Sequence, residues 1–176
     1  MLCWGPLIDA ASALLERPEI AEKLHIVWIG GEAYPRGGEF NLSNDIHAAN
    51  AVMRSQAAVQ MVTAPGFRRA HVGFAELQRR VSGHGKIGEY LYRQLLEYLE
   101  NREYPTVWQL GEGWRLGDSP SIGLLLNPHE YSREERPAPL FSPDMDYLPS
   151  PGLRPIEIYQ DIDAGSCWRI FIASSN

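Results

Sequence analysis

The sequence predicts an α/β fold, a mostly parallel open sheet with helices on both faces. Three observations carry this. Apolar runs at Leu2 to Trp4, Ile26 to Ile29 and Val59 to Thr63 are short, as strands buried on both faces are. Segments with helical spacing alternate with them, the strand–helix–strand order of a parallel sheet. Each run stops at turn residues: Gly5-Pro6, Gly30-Gly31 and Ala64-Pro65-Gly66. Open α/β sheets place their ligands outside such carboxyl ends.

The elements follow in order. Leu7, Ile8, Ala11, Leu14 and Leu15 recur at helical spacing, so a helix is predicted over roughly Ile8 to Leu15, opened by Pro6 or Asp9. Arg17-Pro18-Glu19 breaks and restarts it, because proline fits a first helical turn. Strand Ile26 to Ile29 leads into a glycine-bearing loop that carries Glu39-Phe40-Asn41. Asn44 or Asp45 can cap a helix from Ile46 to Ser55. After strand Val59 to Thr63, an amphipathic helix is predicted near Gly73 to Val81. A longer one spans Ile87 to Asn101, with Leu91, Leu95, Leu96 and Leu99 read as a core-facing stripe.

Val107 to Leu110 reads as a strand, Gly111-Glu112-Gly113 as a turn, and Asp118 or Ser119 as the cap of a helix ending before Asn127-Pro128. The stretch 128–155 is rich in proline and charge. It is expected to be an irregular excursion with one edge strand near Pro139 to Phe141. Pro155 to Tyr159 alternates as a strand, and Cys167 to Ile172 closes the chain as a strand or short helix.

The chain has 176 residues, enough for one domain with a sizeable core, and a formal net charge of −6. That charge, with no basic patch interleaved with aromatics, argues against nucleic acid as a partner. Cys3 and Cys167 form neither a disulfide framework nor a zinc cluster. No run reaches transmembrane length and no signal peptide is evident, so a cytoplasmic protein with no membrane partner is expected. The first residues read as the tail of a strand, and further elements of the fold are expected before Met1. Phosphate-binding glycine loops, H-E-x-x-H and serine-elbow patterns are absent from the sequence. What remains is acidic and amide chemistry near strand ends and helix starts: Asp9, Glu39, Asn41, Asn44, Asp45 and Asp118. Such groups suit hydroxyl-rich ligands and hard cations, and serve equally as helix caps. Glu39, Asn41 and Asp45 are singled out as members of one site.

Four motifs in order carry a resemblance: G-P-L-I-D-A-A at Gly5 to Ala11, I-G-G at Ile29 to Gly31, E-F-N-L-S-N-D-I-H-A-A at Glu39 to Ala49, and L-G-D-S-P at Leu116 to Pro120. Together they resemble the inosine-uridine preferring nucleoside hydrolase family over its middle and C-terminal portion. The resemblance implies a nucleoside-hydrolase-like fold, truncated at its N-terminus, and hydrolysis of the N-glycosidic bond of ribonucleosides. It implies a calcium ion, with Asp118 as a side-chain ligand and Ile8 giving its backbone carbonyl. It assigns Glu39 and Asn41 to ribose hydroxyls and leaves Phe40 between them as a packing residue.

Departures from the family pattern set further expectations. The acidic D-x-D-x-G-x-D-D cluster, which supplies most calcium ligands and the general base, is absent from this sequence. Gly117 stands where the family often has histidine, and Asp9 where it has asparagine. One side-chain ligand and one carbonyl do not make a site of six to eight oxygens. The chain by itself is therefore expected to be inactive, with no catalytic residue assigned. Its hydrolase activity would require a completing segment. The alternative is a non-catalytic domain that binds ribose, a nucleoside or another protein. Expected partners are a small nucleoside or ribose, and a second copy or complementing segment.

Overall fold

The computed structural model describes residues 1–101, 109–128 and 131–163. The expected strand start at Val107 and the closing element at Cys167 to Ile172 lie outside these residues.

Three strands follow the predicted order: β1 (Leu2–Cys3), β2 (His25–Ile29) and β3 (Ala58–Val62). They pair in parallel, Leu2 opposite Val27 and Ile26 opposite Val59. Helix α1 (Ile8–Glu16) and a 3₁₀ segment (Pro18–Lys23) form the first crossover. The second consists of α2 (Phe40–Asn44) and α3 (Ile46–Arg54). Strand period two sorts the side chains to opposite faces. Ile26, Trp28, Val59 and Met61 face α1 and α3, while Val27, Ile29 and Val62 pack with Ala64, Phe67 and Leu124.

Beyond β3 the sheet continues to a late strand. Numbered in chain order, the other strands are β4 (His71–Gly73), β5 (Gln109–Leu110), β6 (Gly113–Arg115), β7 (Tyr131–Pro137), β8 (Leu140–Phe141), β9 (Tyr147–Leu148) and β10 (Pro155–Ile162). The main sheet has the order β1-β2-β3-β10-β7, with β10 parallel to β3 and β7 antiparallel to β10. Mostly parallel pairing and helices on both faces agree with the predicted fold class.

The stretch 128–155 differs from the irregular excursion expected of it. Residues 131–137 form the seven-residue edge strand of the main sheet, and β8 pairs with β9 in a small hairpin. The sequence Y-S-R-E-E-R-P lacks apolar alternation because an edge strand keeps much of its surface in water. Its pairing comes from β10, and Arg133 reaches Glu157 across the pair at 2.6 Å.

A separate antiparallel sheet, β4-β6-β5, is interspersed in sequence with the remaining helices. These are α4 (Ala64–Phe67), α5 (Phe74–Leu77), which runs on through a π turn at Gln78–Ser82, α6 (Gly85–Glu100) and α7 (Ser119–Leu126). The predicted core-facing stripe of α6 is corrected here. Gly88 is the buried residue of this helix, and Leu91 and Leu96 are exposed. Helical spacing identified an apolar face correctly, but tertiary packing leaves that face only partly covered. No helix among the described residues is long and apolar enough to cross a membrane.

Candidate functional site

The site grows from the end of β2. Gly31 has φ +77°, and a Cβ there would lie 2.1 Å from Met61 Cε and 2.5 Å from the Tyr147 hydroxyl. Only glycine turns the chain at this point without displacing that wall. The chain returns at Glu39, which caps α2. Glu39 Oε2 accepts from the Gly31 and Leu42 N–H groups, both at 3.0 Å. Two residues on, Asn41 Nδ2 donates to the Ile29 carbonyl at 2.9 Å. Both side chains thus staple α2 to the carboxyl end of β2. This five-residue helix is missing from the sequence reading, because one turn and a half shows no periodicity.

The opposite wall is the turn between β6 and α7. Ser121 Oγ donates to the Asp118 carbonyl, and Trp4 Nε1 donates to Ser121 Oγ, each at 2.7 Å. This relay ties the end of β1 to the start of α7 and brings Asp118 to the cleft. The turn Gly5-Pro6 is fixed in addition by Trp28 Nε1, which donates to the Gly5 carbonyl at 3.0 Å.

Between these walls lies a cleft of about 480 Å³. Trp4, Ile29, Glu39, Phe40, Asn41 and Phe67 line one side, and the run from Trp114 to Ser119 lines the other. Glu39, Asn41 and Asp118 therefore border one space. The reason differs from the expected one. The turns after β1, β2 and β3 do share a sheet edge, but Gly117-Asp118 follows β6 of the separate sheet and arrives through α7.

Other candidates are placed elsewhere. Ile8 opens α1, is 44% exposed and is not among the residues lining the cleft. Asp45 caps α3 by accepting from Ala48 N–H at 2.8 Å, so its membership of the site is corrected to a structural role. Asn44 donates to the Phe40 carbonyl at 2.7 Å, and Asp9 stands in the first turn of α1 without capping it. Phe40, read as a packing residue, is 76% exposed on the cleft rim.

The cleft's carboxylates are perturbed in one direction. Burial pushes Glu39 above the usual range, against the pull of the Asn41, Leu42 and Gly31 amides and the Arg68 charge. Asp118 is also pushed up, by desolvation within the cleft, although it stays open to solvent at its rim. Among the described residues no cluster of three or more His, Cys, Asp or Glu side chains stands ready for a metal. Glu39 Oε2 is committed to amides, and Asp118 brings a single carboxylate. That donor set does not fit calcium, which takes six to eight oxygens.

Sequence reasoning missed the aromatic lining of Trp4, Phe67 and Trp114, and it missed Arg115. The buried Nε of Arg115 has no hydrogen-bond partner among the described residues. Strand alternation gives such residues no mark until α7 and β6 are seen to face β1.

Residues 1–147 match the family described as inosine-uridine preferring nucleoside hydrolase. No curated protein matches the chain. Solved structures share its fold at low identity. A plant nucleoside hydrolase is 18% identical with a TM-score of 0.78, covering 99% of this chain and 60% of that one. A purine-preferring ribonucleoside hydrolase from Gardnerella vaginalis is 18% identical with a TM-score of 0.82, over 99% of this chain and 59% of its own. The type III effector XopQ, solved with adenosine diphosphate ribose, is 17% identical with a TM-score of 0.67, over 99% and 59%. The chain thus spans about three-fifths of the length of these proteins.

Proposed function

The chain belongs to the inosine-uridine preferring nucleoside hydrolase family, and from that premise we propose that its cleft binds the ribose of a ribonucleoside. The observation that carries this reading is the grouping of Glu39, Asn41 and Asp118 around one space of about 480 Å³. Glu39 and Asn41 are each anchored by one polar atom, Oε2 and Nδ2. The other polar atom of each is the group offered to a ribose hydroxyl. Such anchored side chains lose little freedom on binding, which is the advantage of preorganisation. Asp118 adds an acceptor from the opposite wall, and the aromatic lining suits the flat face of a base.

Hydrolysis is a further step, and among the described residues the cleft has no calcium-binding donor set. Water attack at the glycosidic carbon would require a base and charge stabilisation supplied by a completing segment. β1, with only two residues, is an edge strand of the main sheet. An edge left unpaired among the described residues favours its cover by a second copy or by such a segment.

The test is calorimetric titration with inosine, uridine and free ribose, with and without calcium. We expect saturable binding that calcium does not alter, no release of ribose, and up to a roughly tenfold loss in Asn41→Ala and in Asp118→Ala, about the worth of one hydrogen bond. Absence of binding for all three compounds overturns the reading. Sustained ribose release by the pure chain overturns its catalytic half.

A further inference from the structure

Arg115 meets the cleft as a cation without a counterion. It ends β6, and its backbone is held by pairing with His71 of β4. The next residue, Leu116, donates its N–H to the Ala70 carbonyl at 2.8 Å. The side chain therefore lines the cleft from a fixed strand end. Among the described residues, Arg80, Arg115 and Arg136 have a buried Nε with no hydrogen-bond partner. Arg80 is ion-paired with Glu76, and Arg136 with Glu134. Arg115 has no ion pair and no ring contact among the described residues, although Asp118 lies on the same wall. Arg68, whose charge reaches Glu39, is already paired with Glu32 at 2.9 Å. Withdrawing a guanidinium from water without a partner is costly, and a ligand in the cleft can supply one.

We propose that Arg115 binds a phosphate carried on the ribose, and that the cleft takes nucleoside 5′-monophosphates. This inference rests on the ribose reading. Glu39 and Asn41 stand two residues apart on one wall and suit the neighbouring hydroxyls at C2′ and C3′. C5′ is then the ribose position left for an anionic group, and Arg115 stands on the wall opposite. A guanidinium presents a planar fork of donors that matches phosphate oxygens in pairs. The cleft's carboxyls do not cancel its charge. Glu39 Oε2 is turned to two amides, and burial shifts both Glu39 and Asp118 toward their protonated forms. Arginine keeps its charge throughout. The cleft, at about 480 Å³, has the size of a site for a small ligand.

Calorimetry on the whole chain compares inosine, inosine 5′-monophosphate and inorganic phosphate at low salt. The monophosphate should bind roughly tenfold more tightly than inosine, the low end for a hydrogen bond to a charged group. That advantage should shrink as salt is raised. In Arg115→Met it disappears, and in Arg115→Lys part of it returns, which separates charge from packing. Arg68→Met, at a cation outside the cleft lining, keeps it. Equal affinity for inosine and its monophosphate overturns the phosphate site and leaves the ribose reading standing. So does an advantage that survives Arg115→Met. Inorganic phosphate bound as tightly as the monophosphate also overturns the proposal, since the anion would then bind without the ribose. Failure of all three compounds to bind overturns the two readings together.

Discussion

Replacing Glu39 by alanine removes two bonds at once, and the structure sets their size. The side chain is 5% exposed and accepts from Gly31 N–H and Leu42 N–H at 3.0 Å each. Loss of the cap on α2 costs about 0.5–2 kcal/mol. The Gly31 amide is then left buried without its acceptor, which costs about 1–3 kcal/mol more. We expect Glu39→Ala to lower the unfolding free energy by roughly 2–4 kcal/mol in urea titrations at pH 7. Glu39→Gln keeps one acceptor oxygen and separates hydrogen bonding from charge. Burial raises the Glu39 carboxyl above its ordinary value, so folding favours its protonated form. Its contribution is therefore full below the unfolded carboxyl range and is lost as pH rises through the raised folded value. Glutamine does not titrate. The stability of Glu39→Gln relative to the parent should accordingly improve as pH rises from about 4 to 7. The reasoning is refuted if Glu39→Ala unfolds within about 0.5 kcal/mol of the parent, or if the glutamine variant loses ground over that interval.

Other substitutions probe the frame around the cleft. Asp45→Ala should cost about 1 kcal/mol through its α3 cap and leave ribose binding unchanged; a shift in ribose affinity would return Asp45 to the site. Gly31→Ala meets both a positive φ and Met61 Cε at 2.1 Å, so a loss of at least roughly 2 kcal/mol is expected in the same titration. An unchanged midpoint would show that this wall yields freely. Arg154 donates to the Met53 carbonyl at 2.8 Å and also to those of Ala57 and Val52, holding the last turn of α3. Arg154→Met should destabilise by roughly 2–3 kcal/mol, as expected for buried carbonyls left without donors, and equal stability in thermal melts would count against that role.

Much of the frame was legible because its signals are local. Apolar runs closed by Gly5-Pro6, Gly30-Gly31 and Ala64-Pro65 marked β1, β2 and β3, and these three strands are parallel neighbours. Asn44 or Asp45 marked the start of α3, and the side chain of Asp45 is the cap. The motif order pointed to the nucleoside hydrolase family, which the match over residues 1–147 establishes. Glu39, Asn41 and Asp118 were named from residue type and their place after glycine turns.

Tertiary structure decided what no local pattern encodes. Whether a carboxylate caps a helix or faces a ligand depends on partners distant in sequence. Asp45 and Glu39 both cap, yet only Glu39 lies at the end of β2 beside a cleft. Ile8 shares the glycine-proline turn but lies outside the lining, since α1 begins there and leaves it exposed. Asp118 reaches the cleft through Trp4 and Ser121, a hydrogen-bonded relay spanning 117 residues of sequence. The charged run at 131–137 became a strand because β10 offered it a paired edge. The stripe on α6 stayed partly open because burial needs an opposing surface, and helical spacing specifies only the face that seeks one.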